Sequence, residues 1–134
     1  MLGDKVLQTS GIVSVRRVVP GNGHGPQMET TIQETGTFLG VEIQETATYR
    51  SEMRPDGTLY GEGEGLIMGK NGEAASYKGS GVGRLGPGGS VSFRGALYYL
   101  STSPAWTRAN GMAVIFEHEA TPDGKTNSQG WEWK

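Results

Sequence analysis

Residues 31–49 read TIQETGTFLGVEIQETATY, and the tetrad IQET stands in this stretch twice, at 32–35 and 43–46, with Gly40 between. From Val41 to Met53 the odd positions are Val41, Ile43, Glu45, Ala47, Tyr49, Ser51 and Met53, and the even ones are nearly all polar. That period of two is the mark of a half-buried strand, and the odd face is the one to point inward. On the preceding strand Met28, Ile32, Gly36 and Phe38 share a face, and Glu34 travels with them. If Leu39-Gly40 is a two-residue connection, Phe38 faces Val41, Gly36 faces Ile43, and Glu34 faces Glu45. Two carboxylates then stand opposite each other on the inside of a sheet.

The same alternation runs through the chain. It predicts eight strands, over Lys5–Val19, Met28–Phe38, Val41–Met53, Thr58–Met68, Glu73–Leu85, Ser90–Leu100, Met112–Ala120 and Asn127–Trp133. Arg54-Pro55-Asp56-Gly57 and Thr121-Pro122-Asp123-Gly124 read as proline-initiated turns, and Asn71-Gly72 and 86–89 as hairpin loops. The segment 20–26 is a longer glycine-rich loop in which His24 is expected to be solvated. Ser103–Gly111 is the one helical stretch, with serine to cap it, proline at its start and Asn-Gly to end it. Strands joined by short hairpins, with no helices to cover an open sheet, favour closure into a barrel. The expected fold is an all-β, eight-stranded antiparallel up-and-down barrel with one short helix between strands 6 and 7, residues 1–134 forming a single domain. A β-sandwich is the alternative.

Composition narrows the function classes. The net charge of −2 gives no basic face for nucleic acid. With no cysteine, disulfides and thiolate metal sites are ruled out. Two separated histidines make no metal site, and no cofactor is implied. No signal-like N-terminus and no run of ~18 apolar residues is present, so a cytoplasmic protein without a membrane partner is expected.

The 23 glycines need a reason. Gly61, Gly63 and Gly65 fall at alternate positions, as do Gly79, Gly81 and Gly83. A bulged loop after Pro55 puts the first set inward beside Tyr49, and sets Arg50 opposite Glu62 as an outward ion pair. At Asn71-Gly72 a two-residue loop would bury Lys78 and Arg84. A three-residue loop instead turns Ala75, Tyr77, Gly79, Gly81, Gly83 and Leu85 inward, and burial of charge decides for it. Gly83 then lies near Phe93. Such glycines either permit tight curvature, with large side chains covering them, or leave room for a ligand. Phosphate binding is rejected, because neither run opens a helix or ends in Lys-Ser or Lys-Thr.

Facing glutamates cannot both ionise cheaply, so a shared proton and acid–base chemistry are one reading. A register shift at Gly40, leaving one glutamate with a tyrosine or arginine partner, is the other. His118 shares its phase with Met112, Val114 and Phe116, either as a partnered structural histidine or as a lumen group. Trp131 and Trp133 are expected to anchor the core, with the register of the last hairpin left open. Trp106 is expected to plug a barrel end or pack at a subunit contact.

The segments RPDGTLYGEGEG (54–65), GVGRLGPGGSVSFRGALYY (81–99) and SPAWTRANGMAVIFEHE (103–119), with the terminal WEWK, resemble a group of small uncharacterised prokaryotic proteins. Their layout is similar to the barrel of allene oxide cyclases and dirigent proteins. The resemblance implies an apolar lumen, a homo-oligomer (trimer or dimer), and in the enzymes of that type isomerisation or cyclisation steered by shape and a few inward polar groups. Glu34 and Glu45 are the candidate catalytic residues. Tyr49, Gly63, Gly65, Tyr77, Gly81, Phe93, Tyr99, Phe116 and His118 are the candidate ligand-binding residues. The expected function is lumen binding of a small, largely apolar molecule, with isomerase or cyclase activity, or else a filled barrel serving as a binding or oligomeric module.

Overall fold

Alternation of polar and apolar residues becomes strand along almost the whole chain. The computed structural model describes residues 1–23 and 25–134, so His24 lies outside them. The strands are β1 (Leu2–Val19), β2 (Gln27–Phe38), β3 (Val41–Met53) and β4 (Leu59–Gly69), followed by β5 (Ala74–Leu85), β6 (Val91–Leu100), β7 (Ala113–Ala120) and β8 (Lys125–Trp133). Each pairs with the next in antiparallel fashion, and β8 pairs with β1 to close the barrel. Closure leaves no open sheet edge, which is why the long strands need no covering helices. β1 begins earlier than its alternation suggested because the chain ends meet: the Met1 ammonium donates to the Lys134 carbonyl at 2.7 Å, and the Lys134 amide returns a bond to Met1 at 2.8 Å.

Turn chemistry sets the registers. Leu39 and Gly40 both take positive φ (48° and 77°), the pattern of a two-residue hairpin turn, and Glu34 stands opposite Glu45. The Asn71-Gly72 loop spans three residues, closed by the Gly69 amide on the Glu73 carbonyl, so Tyr77 pairs with Gly65 and Gly79 with Gly63. Phe93 stands opposite Gly83, as expected.

Four expectations need correction. Arg50 does stand opposite Glu62, but its guanidinium turns to Glu29 on β2, at 3.2 Å, where Arg17 also binds. Trp131 pairs beside Ile115 with its phase outward, under the Lys5 ammonium, and Trp133 is 55% exposed. The inward face of β8 belongs to Thr126, Ser128 and Gly130. Leu85, at the end of its strand, is exposed. The expected short helix is present between β6 and β7 as a 3-10 segment, Pro104–Gly111, kinked at Trp106. Ser103 does not cap it: its hydroxyl accepts the Ala74 amide at 2.9 Å instead.

The core fills the barrel toward the end closed by that segment. Trp106 is fully buried and meets Phe38 edge-on at 5.3 Å, and Phe38 stacks on Tyr99. Ile67 and Val114 are fully buried as well. Trp106 is therefore a plug rather than a surface group. No helix of the described residues is long and apolar enough to cross a membrane.

Candidate functional site

β2 and β3 carry Glu34 and Glu45 inward, and both are buried, at 2% and 5% exposure. An uncompensated carboxylate in such a place costs several kcal/mol, so its partners matter. Glu34 has three. Thr9 on β1 donates to Oε1 at 2.8 Å, Ser128 on β8 donates to Oε1 at 2.9 Å, and Thr126 on β8 donates to Oε2 at 2.6 Å. Glu45 has one: the Tyr77 hydroxyl donates to its Oε2. Its Oε1 has no partner among the described residues.

This asymmetry separates the two acids. Burial pushes the Glu45 carboxyl up to about 7, the Tyr77 hydroxyl pulls it back in part, and the Glu34 charge adds to the rise. Burial also raises the Tyr77 and Tyr99 hydroxyls well above the usual tyrosine value, with the Glu45 charge contributing to both. The two glutamates do not share a proton through a hydrogen bond of their own. Each takes its partners from a different wall, and they interact through space.

His118 enters the same network from β7. Its Nδ1 lies 2.7 Å from Ser128 Oγ. Burial lowers its pKa, opposed by the charges of Glu34 and Glu119, so the neutral imidazole is favoured. Its Nε2 has no partner among the described residues.

Glu45, Tyr77 and His118 line one cavity of about 80 Å³, whose exposed lining is mostly apolar. Tyr49, Phe93 and Phe116 close it with their rings, and Leu7, Ile32, Ala47 and Leu97 complete the apolar part. Tyr49 meets Phe93 and His118 edge-on, at 5.6 and 6.0 Å. Gly61, Gly63, Gly79 and Gly81 form the wall on β4 and β5. Thr48 on β3, Glu62 and Glu64 on β4 and Ser80 on β5, which lie in the outward phase of their strands, also border it, so the wall there is one backbone thick.

The first explanation of the glycines holds along this wall, where neighbouring side chains cover them. A Cβ on Gly63 would come within 2.6 Å of Tyr49 Cβ, and one on Gly83 within 2.6 Å of Phe93, so large side chains cover those two. Gly65 and Gly79 are covered in the same way by Tyr77 and Leu97. Gly61 is the loosest of the set, with 3.2 Å to Phe93. Closer backbone approaches than any in this set fall at Gly11 and Gly36 between β1 and β2, and at Gly95 against Ser80.

Of the candidate residues, Glu45, Tyr49, Gly63, Tyr77, Gly81 and Phe93 border the cavity, and so do Phe116 and His118. Glu34 lies behind it, reached through Ser128. Gly65 lies under the Tyr77 ring, and Tyr99 belongs to the aromatic stack below, its hydroxyl unpartnered. Sequence reasoning missed Thr9, Thr126 and Ser128. The even phase of β8, with Thr126, Ser128 and Gly130 in series, was the available signal, but the paired tryptophans drew the inward assignment to the odd phase.

No protein-family model and no curated protein matches the chain. Solved structures share its architecture, among them two proteins of unknown function. A conserved protein of unknown function from Rhodopseudomonas palustris superposes with a TM-score of 0.79 at 12% identity, covering 99% of each chain. A protein of unknown function from Clostridium acetobutylicum superposes with a TM-score of 0.82 at 12% identity, covering 98% of each chain. At that identity the likeness establishes a common barrel along the whole chain and carries no activity, from allene oxide cyclases or from any other group.

Proposed function

We propose that the barrel binds a small, largely apolar molecule in its lumen, with a polar group of that molecule bonded to Glu45. The observation that carries this reading is the Oε1 atom of Glu45, buried and without a partner, on a side chain that lines a mostly apolar cavity. A buried polar atom left unsatisfied is destabilising by about 1–3 kcal/mol, and a ligand hydrogen bond would remove that penalty. The space limits the ligand. An engineered cavity of roughly 150 Å³ in another protein takes benzene, so about 80 Å³ suits a molecule of only a few non-hydrogen atoms unless the Tyr49 or Phe93 ring swings aside.

An isomerase is the second reading, favoured by the Glu45 carboxyl near 7, the range in which a group both gives and takes protons at neutral pH. Ring closure of a long substrate is less well served, since the lumen around Glu45 is mostly filled by aromatic rings.

The test is a titration with acetone and with benzene, followed by amide and side-chain NMR shifts. Saturable shifts centred on Glu45, Tyr77 and His118 are expected with acetone, and with benzene only if the Tyr49 or Phe93 ring swings aside. Gly61→Ala, which reduces the free space, should weaken binding several-fold. Shifts absent with both probes would mean a filled barrel that binds nothing there.

A further inference from the structure

We infer that the lumen takes a small enolisable ketone or aldehyde and moves its α-proton, with His118 Nε2 as the base and the Glu45 carboxyl as the acid at the carbonyl oxygen. This deepens the lumen-binding reading and rests on it.

The base follows from counting protons. The Ser128 hydroxyl has one proton, and it is given to Glu34 Oε1 at 2.9 Å. Ser128 Oγ also lies 2.7 Å from His118 Nδ1, so that bond needs the imidazole as donor. The proton therefore sits on Nδ1, and Nε2 is a bare lone pair. The unpartnered Nε2 belongs to a side chain that lines the cavity. Glu34, Ser128 and His118 thus form a carboxylate–hydroxyl–imidazole relay across β2, β8 and β7. A positive charge formed on the ring would be stabilised by Glu34 through Ser128.

The acid follows in the same way. Tyr77 donates to Glu45 Oε2, so a proton on Glu45 resides on Oε1, the oxygen with no partner. The two side chains that carry this O–H donor and this lone pair, Glu45 on β3 and His118 on β7, both line the cavity. Simple binding of an apolar molecule needs neither a relay behind the imidazole nor an acid poised near neutrality. A carboxylate ligand would meet the charge of Glu34. A compact carbonyl compound suits the volume, its oxygen accepting from Glu45 and its α-hydrogen directed to His118.

The step balances without a co-reactant. The α C–H bond breaks and its proton joins Nε2. The electron pair forms the C=C bond, and the carbonyl oxygen takes the proton of Glu45 to give the enol. Glu45 is left as a carboxylate held by Tyr77. Return of a proton to carbon, at the same or an adjacent position, restores the keto form and both side chains.

The experiment uses acetone in D2O with the whole chain, its methyl signal followed by proton NMR. Wild-type protein should accelerate exchange about a hundredfold over buffer, the lower end of what positioned acid–base groups supply. His118→Gln retains a donor for Ser128 but offers no base, and Glu45→Gln retains a donor for the carbonyl but no transferable proton. Both should lose tenfold or more in exchange rate while keeping the near-ultraviolet circular dichroism of the wild type, and Glu45→Gln should keep the acetone-induced shifts. Acetone shifts without accelerated exchange would overturn the proton-transfer inference and leave lumen binding standing. Unchanged exchange in His118→Gln would overturn the assignment of the base. Absence of acetone shifts would overturn this inference, and absence of benzene shifts as well would overturn lumen binding.

Discussion

Glu34 and Glu45 are register partners across β2 and β3, yet they are held from different walls of the barrel, Glu34 by hydroxyls of β1 and β8 and Glu45 by the Tyr77 hydroxyl of β5. Burial raises the Glu45 carboxyl, and the Glu34 charge facing it adds to the rise. Glu34 is saturated with donors, whereas Glu45 has one, and Glu45 is the group pushed up to about 7. The facing pair is thus a division of roles between an anchored acceptor and a titrating acid.

Thr126→Val tests the anchoring. It keeps the shape of the side chain and removes the 2.6 Å bond to Glu34 Oε2. Leaving a buried carboxylate oxygen short of its donor should destabilise the fold by about 1–3 kcal/mol. Urea denaturation measures this, and a change within error would show that Glu34 draws its stability from elsewhere.

Trp106→Ala tests the plug. The indole is fully buried against Phe38, so truncation should cost about 3–5 kcal/mol, read as a lower urea midpoint. A small effect would mean that the 3-10 segment is not part of the cooperative core.

Gly65→Ala and Gly61→Ala separate covered glycines from the cavity wall. A methyl at residue 65 runs into the Tyr77 ring and should displace it from Glu45, destabilising by about 1–3 kcal/mol. A methyl at residue 61 meets Phe93 at 3.2 Å and should cost under about 1 kcal/mol. Equal losses of thermal stability in the two variants would contradict the distinction.

Glu45→Gln tests the linkage between ionisation and stability. With the carboxyl raised from 4.5 to about 7, the folded state holds a proton that the unfolded chain has released between those values. The stability contributed by neutral Glu45 is thus full below about 4.5, declines as pH rises to about 7, and is flat above. The total decline is on the order of 3 kcal/mol. Glu34 on β2 faces Glu45, Tyr77 on β5 and Tyr99 on β6 stay protonated throughout this window, and His118 lies on β7. His118, whose pKa is lowered, gives the opposite slope: its contribution is present above 6.5 and lost as pH falls. Glu45→Gln should remove the Glu45 slope alone, so its stability advantage over wild type grows from pH 4.5 to 7. A constant difference would exclude a raised carboxyl at this position.

The barrel, its strand order and the parity of β3 were legible in the chain because alternation and turn chemistry are local signals. Glu45 could be placed in the lumen from the phase of Ile43 and Ala47 alone. The partners of Glu34 were not legible. Thr9 and Thr126 are 117 residues apart and meet only through closure of β8 on β1. Trp131 and Trp133 misled because hydrophobicity was taken for burial, whereas large apolar side chains are common on protein surfaces. The tautomer of His118 depends on Ser128, and no pattern in sequence encodes a proton position.

The most direct measurement is a carbon-13 NMR titration of the glutamate side-chain carboxyls, with Glu45 assigned by the resonance missing from Glu45→Gln. A midpoint near 7 is expected for that resonance, with a concurrent small shift at Tyr77. A midpoint near 4.5, the ordinary glutamate value, would mean that the Glu45 carboxyl is solvated, and it could then be neither a buried ligand contact nor an acid working at neutral pH.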